Sequence, residues 1–262
     1  MNEVNQQVIH RVMHEIKRRR LQVLRVQDLT PRMRRITLGG PELAGAGFIS
    51  LGTDDHIKLF FPQTAAEQTA LETLVIGTKD SGPMPAMRDY TPRRYDLERG
   101  ELDIDFVLHG DGPAASWAEQ AAPGQFLNIG GPRGSMVVPD IFDSYLLIGD
   151  ETALPAIARR LEGLAANRRA LVVIEVENAA EQQTLHSPAQ VEVIWVRRDA
   201  PEQDLLHTVE QLTPPPGSLY AWVATEAALS RKVRRVLLDT HGLDEEFVKA
   251  AGYWRLDDSA ED

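Results

Sequence analysis

Apolar and polar positions change rhythm near residue 140. Before it, short runs with apolar residues at alternate positions (Leu21 to Val26, Met33 to Leu38, His56 to Phe61, Leu102 to His109, Phe126 to Ile129) are separated by turn signals at Gly39-Gly40-Pro41, Gly82-Pro83 and Gly130-Gly131-Pro132. That pattern predicts short antiparallel strands closed into a β-barrel or sandwich. After Pro139 the strands become continuously apolar and alternate with helices. Strands are expected at Tyr145 to Gly149, Leu171 to Val176, Val191 to Val196 and Leu219 to Ala224, and helices at Ala153 to Ala166, Glu202 to Leu212 and Ala227 to His241. β-branched runs of this kind between helices predict a parallel sheet in an open, Rossmann-like α/β domain. Three segments follow: an N-terminal helical extension over 1–20, a barrel domain over 21–140, and an α/β domain with a C-terminal tail over 141–262. The stretches Gln63 to Gly82 and Thr213 to Gly217 are read as loops within the domains.

Composition narrows the field. The 262 residues are 43% hydrophobic and contain no cysteine, so the chain can bury a core but forms no disulfide and no thiolate-held cluster. A formal net charge of −11 excludes a general nucleic-acid binder and requires that any anionic ligand meet a local cationic patch. Basic residues gather between Arg11 and Arg35, while the tail Asp257, Asp258, Glu261, Asp262 is acidic. No apolar run approaches membrane-spanning length and Met1 to Gln7 is polar, so a cytoplasmic protein without membrane insertion is expected. His10 and His14 stand four apart on the presumed first helix, but no third ligand lies nearby, and no metal site is expected.

Two segments of the barrel carry candidate chemistry. In Arg88-Asp89-Tyr90-Thr91-Pro92, strand geometry puts Arg88 and Tyr90 on one face. A guanidinium there suits a phosphate and a phenol ring two residues on suits an isoalloxazine, with the Thr91 hydroxyl near the flavin edge. The plain alternative is a surface strand ending at Pro92. The run from Asp105 to Ala118 reads as a strand, a glycine turn and a helix opening on Pro113-Ala114-Ala115-Ser116. Free amides at a helix start flanked by small side chains seat a diphosphate, and Ser116 adds a hydroxyl donor. Proline alone would mark an ordinary helix start.

In the α/β domain, Leu146 to Ile157 is a buried strand, a turn at Asp150-Glu151-Thr152, and a helix for which Thr152 is the expected N-cap. Ligands bind at such strand ends, so Asp150, Glu151 and Thr152 are candidates for a nicotinamide pocket, with helix capping as their structural alternative. The Gly-x-Gly-x-x-Gly fingerprint is absent. Arg197-Arg198, at the end of a later strand, is placed to meet a 2′-phosphate; Glu175 and Glu177 are placed to meet a ribose diol instead. NADPH is the expected donor, with NADH possible.

The chain resembles the siderophore-interacting protein family, flavin-dependent ferric-siderophore reductases related to the ferredoxin-NADP reductases. The likeness runs from about Arg20 to Leu256. It is carried by Asp54 to Pro62, Arg88-Asp89-Tyr90-Thr91-Pro92-Arg93, Asp105 to Ala118, Gly131-Pro132-Arg133-Gly134-Ser135, Gly149 to Ala156 and Gly252-Tyr253-Trp254-Arg255. The resemblance implies FAD in the barrel, NADPH or NADH in the second domain, and electron transfer to an iron(III) chelate with release of iron(II). It implies cofactor roles for Arg88, Tyr90, Thr91, Asp105, His109, Ala115, Ser116, Asp150, Thr152 and Trp254, the last close to the flavin. It points to Lys58, Arg133 and Arg255 as cations for an anionic ferric siderophore. No catalytic acid or nucleophile is required, because the flavin carries the electrons. The cysteine-glycine motif of the wider superfamily is replaced by Ala224-Thr225-Glu226. A monomer is expected. The alternatives are a related flavoprotein reductase acting on ferredoxin or free flavin, and a non-catalytic siderophore-binding protein.

Overall fold

A computed structural model describes residues 9–43, 47–73, 83–200, 202 and 204–256. The chain divides into two compact units, Met1–Pro139 and Asp140–Asp262. The tail aspartates and Gly82 lie outside the described residues.

The first unit contains β1 (His10–Met13), β2 (Arg18–Thr30), β3 (Met33–Gly39), β4 (Ile57–Phe61), α1 (Ala65–Thr73), β5 (Ala86–Tyr90), β6 (Arg94–Asp96), β7 (Glu101–Val107), α2 (Pro113–Gln120), β8 (Phe126–Gly130) and β9 (Gly134–Val137). Seven strands form one sheet in the order β5-β4-β8-β2-β3-β7-β6, antiparallel throughout. The sheet curls around a core that includes Leu21, Ile36, Leu59, Ile104, Phe106 and Ile129, all fully buried. β5 and β6 stay at its edges, so it is a half-barrel rather than a closed barrel.

The expected N-terminal helix is not found where the structure describes the chain. His10–Met13 is a strand paired with β9, and the chain is extended again from Arg18. Long-range pairing overrides the local pattern here, since exposed Arg11 and Met13 flank a strand with little apolar face of its own. His10 and His14 therefore share no helix face. The stretch read as a loop from Gln63 contains α1, which is anchored by a single fully buried residue, Leu71. Its first turn is capped reciprocally: Glu67 accepts from the Gln63 and Thr64 amides, and the Thr64 hydroxyl accepts from the Glu67 amide.

The second unit contains β10 (Ser144–Asp150), α3 (Leu154–Glu162), β11 (Arg169–Val176), β12 (Gln190–Arg197), α4 (Leu205–Gln211), β13 (Leu219–Glu226), α5 (Ala227–Asp239) and β14 (Val248–Trp254). The five strands are parallel in the order β12-β11-β10-β13-β14. Every residue of β10 is buried, as a central strand covered on both faces requires. At its end Gly149 cannot be replaced by a larger residue. A Cβ there would sit 2.3 Å from the Ala153 Cβ and 2.8 Å from the Ala224 carbonyl oxygen. The glycine thus lets the turn into α3 fold back against β13.

Candidate functional site

The first cluster lies in the half-barrel. Arg88 and Tyr90 occur at the end of edge strand β5, where Leu59 pairs with Arg88 and Ile57 with Tyr90, and Thr91 follows directly after it. Arg88 is exposed and its guanidinium donates only to the Met87 carbonyl among the described contacts. Tyr90 turns inward, its ring 4.5 Å from that of Phe106. Burial pushes the Tyr90 phenol well above its ordinary pKa, partly opposed by the Arg88 charge, so it stays neutral and keeps its proton to donate. Thr91 is buried beside it.

An aromatic row joins this strand to α2. Phe106 packs against Trp117 at 5.6 Å, and Trp117 against Phe61 at 6.0 Å. Ala114, Ala115 and Ala118 are buried, which seats the helix on the sheet, while Ser116 is half-buried on its first turn. Gly112 is the N-cap and no side chain caps the amides behind it. Added Cβ atoms at Gly110 and Gly112 would meet nothing within 4 Å, so the approach to the helix start is open. His109 is exposed just before this turn. An uncapped helix start, a hydroxyl, an uncommitted guanidinium and a neutral phenol beside it fit the diphosphate and ring of FAD.

Asp105 is placed away from solvent, opposite Arg35 on the neighbouring strand. It is buried and held by Arg35 through two hydrogen bonds of 2.6 and 2.8 Å, with Arg93 at 4.0 Å. The pair joins β7 to β3 at directly opposed positions. The proposed substrate cations are exposed: Lys58 is paired with Asp89 at 2.8 Å, whereas Arg133 and Arg255 make no ion pair among the described residues.

A second buried constellation in this unit escaped the sequence reading. Asp55 accepts from the Ser50 hydroxyl at 3.0 Å, the Gly52 amide at 3.1 Å and the Ser135 hydroxyl at 2.5 Å. The Ser135 oxygen is also 2.7 Å from His14 Nε2 and accepts from the Leu51 amide. This network fastens β1 and β9 to the loop before β4. Asp55 and Ser135 stand in segments that carried the family resemblance, but their pairing across eighty positions has no local signal.

In the second unit, Thr152 does not cap α3, whose N-cap position is Ala153 with no side-chain cap; Asp150 caps the 3-10 turn Glu151–Ala153 that leads into it. It accepts from the Thr152 amide at 2.9 Å and hydroxyl at 2.5 Å, the Thr225 hydroxyl at 2.9 Å and the Trp254 indole at 2.7 Å. With both oxygens occupied, Asp150 shapes the strand end and is not itself free for a coenzyme. Glu226 caps α5, accepting from the Ala228 and Leu229 amides.

The expected 2′-phosphate arginines are both engaged. Arg197 is held by Asp199 at 2.8 and 3.1 Å. Arg198 is gripped by Glu151 at 2.7 and 2.9 Å and by Glu175 at 3.0 Å, with Glu177 at 3.7 Å. Burial lowers the Arg198 pKa, but its bonds to Glu151 and the surrounding carboxylates outweigh that and raise it. Glu175 moves up because burial outweighs the Arg198 charge. A phosphate entering here competes with carboxylates for one guanidinium.

Residues 22–136 match the siderophore-interacting FAD-binding domain and residues 142–257 match the siderophore-interacting protein domain. The chain is 38% identical over 250 residues to the NADPH-dependent ferric-chelate reductase of Escherichia coli K12, covering 93% of this chain and 95% of that one. It is 33% identical over 244 residues to the ferric vibriobactin reductase ViuB of Vibrio cholerae, covering 90% and 89%. The crystal structure of a siderophore utilization protein from T. fusca superposes with a TM-score of 0.82 at 36% identity, covering 97% of this chain and 99% of that one. With both halves matched in order over nearly the whole length, the chain belongs to the siderophore-interacting protein family, with an FAD-binding first domain.

Proposed function

We propose that the protein is a ferric-siderophore reductase that takes electrons from NADPH and delivers them through FAD to an iron(III) chelate, releasing iron(II). The observation that carries this reading is the adjoining of Arg88, Tyr90 and the uncapped start of α2 through the row Tyr90, Phe106, Trp117. Names of relatives that are reductases of ferric chelates support the substrate class. The flavin supplies the conversion of a two-electron hydride into single electrons. The chain's residues supply placement. Arg88 holds phosphate, the amides of Ala114 and Ala115 and the Ser116 hydroxyl hold the remaining diphosphate oxygens, and Tyr90 presents a neutral ring and hydroxyl.

In the second unit the ends of β10, β11 and β13 receive the nicotinamide nucleotide, with Arg198 the cation for its 2′-phosphate. The four carboxylates of Asp150, Glu151, Glu175 and Glu177 make that phosphate harder to seat than a ribose diol. Iron(III) is a hard ion held tightly by catecholate or hydroxamate oxygens, and iron(II) is held far less well, so reduction itself drives release. Arg133 and Arg255, with Lys58 once released from Asp89, draw in an anionic chelate. The setting in this reading is the cytoplasm and the working unit a monomer.

The test is steady-state turnover under anaerobic conditions with NADPH, a ferric catecholate and an iron(II)-specific colour reagent. Iron(II) formed in proportion to NADPH consumed, and dependent on added or bound FAD, supports the reading. Chelate binding without flavin or NADPH oxidation would make the protein a carrier instead.

A further inference from the structure

We infer that Arg19 and His14 are positioning residues that clamp the turn carrying Arg133, so that this cation meets an anionic ferric chelate from a rigid mount. The inference rests on the reading of Arg133 as a substrate cation given above.

Arg19 is 4% exposed, and none of its bonds goes to a carboxylate among the described residues. Its guanidinium donates instead to four backbone carbonyls, those of Glu42 at 3.2 Å, Lys17 at 3.3 Å, Gly131 at 3.0 Å and Gly47. The ring of buried Phe48 lies 5.4 Å from the guanidinium carbon. A buried cation without an ion pair is costly to desolvate, and burial accordingly lowers the Arg19 pKa, with the Glu42 charge opposing. What the cation supplies is a planar fork of donors that reaches acceptors on several segments at once.

One of those acceptors ties the fork to the substrate side. Gly131 stands two residues before Arg133, and its amide in turn donates to the Lys17 carbonyl at 3.0 Å. The carbonyl of Arg133 itself accepts from the His14 amide at 2.9 Å. Beyond it, the Ser135 hydroxyl has a single proton, which goes to the Asp55 carboxylate at 2.5 Å. The 2.7 Å contact between Ser135 and His14 Nε2 therefore requires that ring nitrogen to be the donor. A Cβ on Gly134 would sit 2.7 Å from the Val12 carbonyl oxygen, so β1 lies directly against the turn.

Residues 12–19 thus hold the backbone on both sides of Arg133. The Arg133 side chain is exposed and makes no ion pair among the described residues. A fixed backbone beneath a free cation is preorganisation, because the cost of ordering the turn is met on folding rather than on binding. Lys58 pairs with Gly130 across β4 and β8, which brings the second proposed cation beside the same turn.

The test is steady-state turnover of FAD-loaded protein with NADPH and either an anionic ferric tris-catecholate or a neutral ferric hydroxamate. The variants are Arg133→Ala, Arg19→Lys, His14→Ala and His14→Gln, with Arg19→Lys and His14→Ala also placed in the Arg133→Ala background. Arg133→Ala should raise the KM for the catecholate about tenfold, the scale of one lost charge-assisted contact. Arg19→Lys, which keeps the charge but loses the fork, and His14→Ala should each raise it about threefold or more, with kcat and the hydroxamate KM within about twofold of the parent. In the Arg133→Ala background both should add almost nothing, a coupling that a residue serving only stability does not show. His14→Gln, whose amide can donate in place of Nε2, should return toward the parent. Unchanged FAD affinity reports an intact fold throughout. Parent-like KM values for Arg19→Lys and His14→Ala, equal rises for both chelates, or effects that add to Arg133→Ala overturn the clamp while leaving Arg133 as the substrate cation. A parent-like KM for Arg133→Ala overturns both.

Discussion

The Trp254 indole donates to the buried carboxylate of Asp150 across 2.7 Å, tying the final strand to the end of the sheet's central strand 104 positions earlier. The same carboxylate receives Thr152 and Thr225, so three segments converge on one acceptor. Replacing Asp150 by Ala strands several buried donors, each costing about 1 to 3 kcal/mol. Trp254→Phe removes one hydrogen bond to a charged group, worth about 1.5 to 3 kcal/mol. In urea unfolding the phenylalanine variant should lower the midpoint of the second unit, and the alanine variant should lower it further. Equal stability of Trp254→Phe and the parent would show that the indole contact contributes nothing.

Arg88 tests the phosphate site. Its exposed guanidinium has no carboxylate partner among the described residues, so Arg88→Ala should leave the fold intact. The loss of a charge-assisted contact, about 1.5 to 3 kcal/mol, should fall on FAD and FMN but spare riboflavin, which has no phosphate. Equal weakening of all three flavins would remove Arg88 from the phosphate site.

Coenzyme preference should respond to Glu151. Glu151→Gln takes one carboxylate from the grip on Arg198 and reduces the negative field that a 2′-phosphate meets. The KM for NADPH should fall several-fold relative to that for NADH, with little change in the kcat for either. A shift of the two coenzymes together would mean that Arg198 is only structural.

Glu175 carries a pH dependence. Its pKa is raised in the folded protein, mainly by burial, so the native state holds a proton more tightly than the unfolded chain. Stability therefore falls as pH rises from the ordinary carboxylate range through the raised value, and the full cost persists above it. Glu175→Gln should flatten this part of the stability profile in urea melts at acid and neutral pH. An unchanged slope would place the titration elsewhere.

Salt should report on the encounter with substrate. Exposed charges act over about 8 Å at physiological ionic strength, so raising salt should raise the apparent KM for an anionic ferric catecholate and hardly alter that for a neutral hydroxamate. Arg133→Ala should mimic high salt more strongly than Lys58→Ala, because Asp89 already offsets Lys58. Identical behaviour of the two chelates would exclude electrostatic recruitment.

Four of the five strands of the parallel sheet were legible, β10, β11 and β13 because they are apolar over nearly their whole length, a signal that survives without context, whereas the edge strand β14 was not read. The half-barrel strands were legible where turn glycines and prolines bracketed them. β1 was missed because its order comes from pairing with β9, and α1 because one buried leucine gives little periodicity. At the site, Arg88, Tyr90 and the α2 start are local motifs and could be read directly. The roles of Asp105, Asp150 and Arg198 depend on partners between 23 and 104 positions away, and no spacing rule reveals those. Arg19 was invisible for the same reason: only the pairing of β2 with β8 brings it to the turn before Arg133.

The most direct test of the central claim is the visible absorption spectrum of the FAD-loaded protein through one anaerobic cycle. On addition of NADPH the flavin bands should bleach, and on addition of a ferric siderophore they should return as iron(II) appears, two irons for each NADPH consumed. A flavin that NADPH reduces but that no ferric chelate reoxidises would contradict the account.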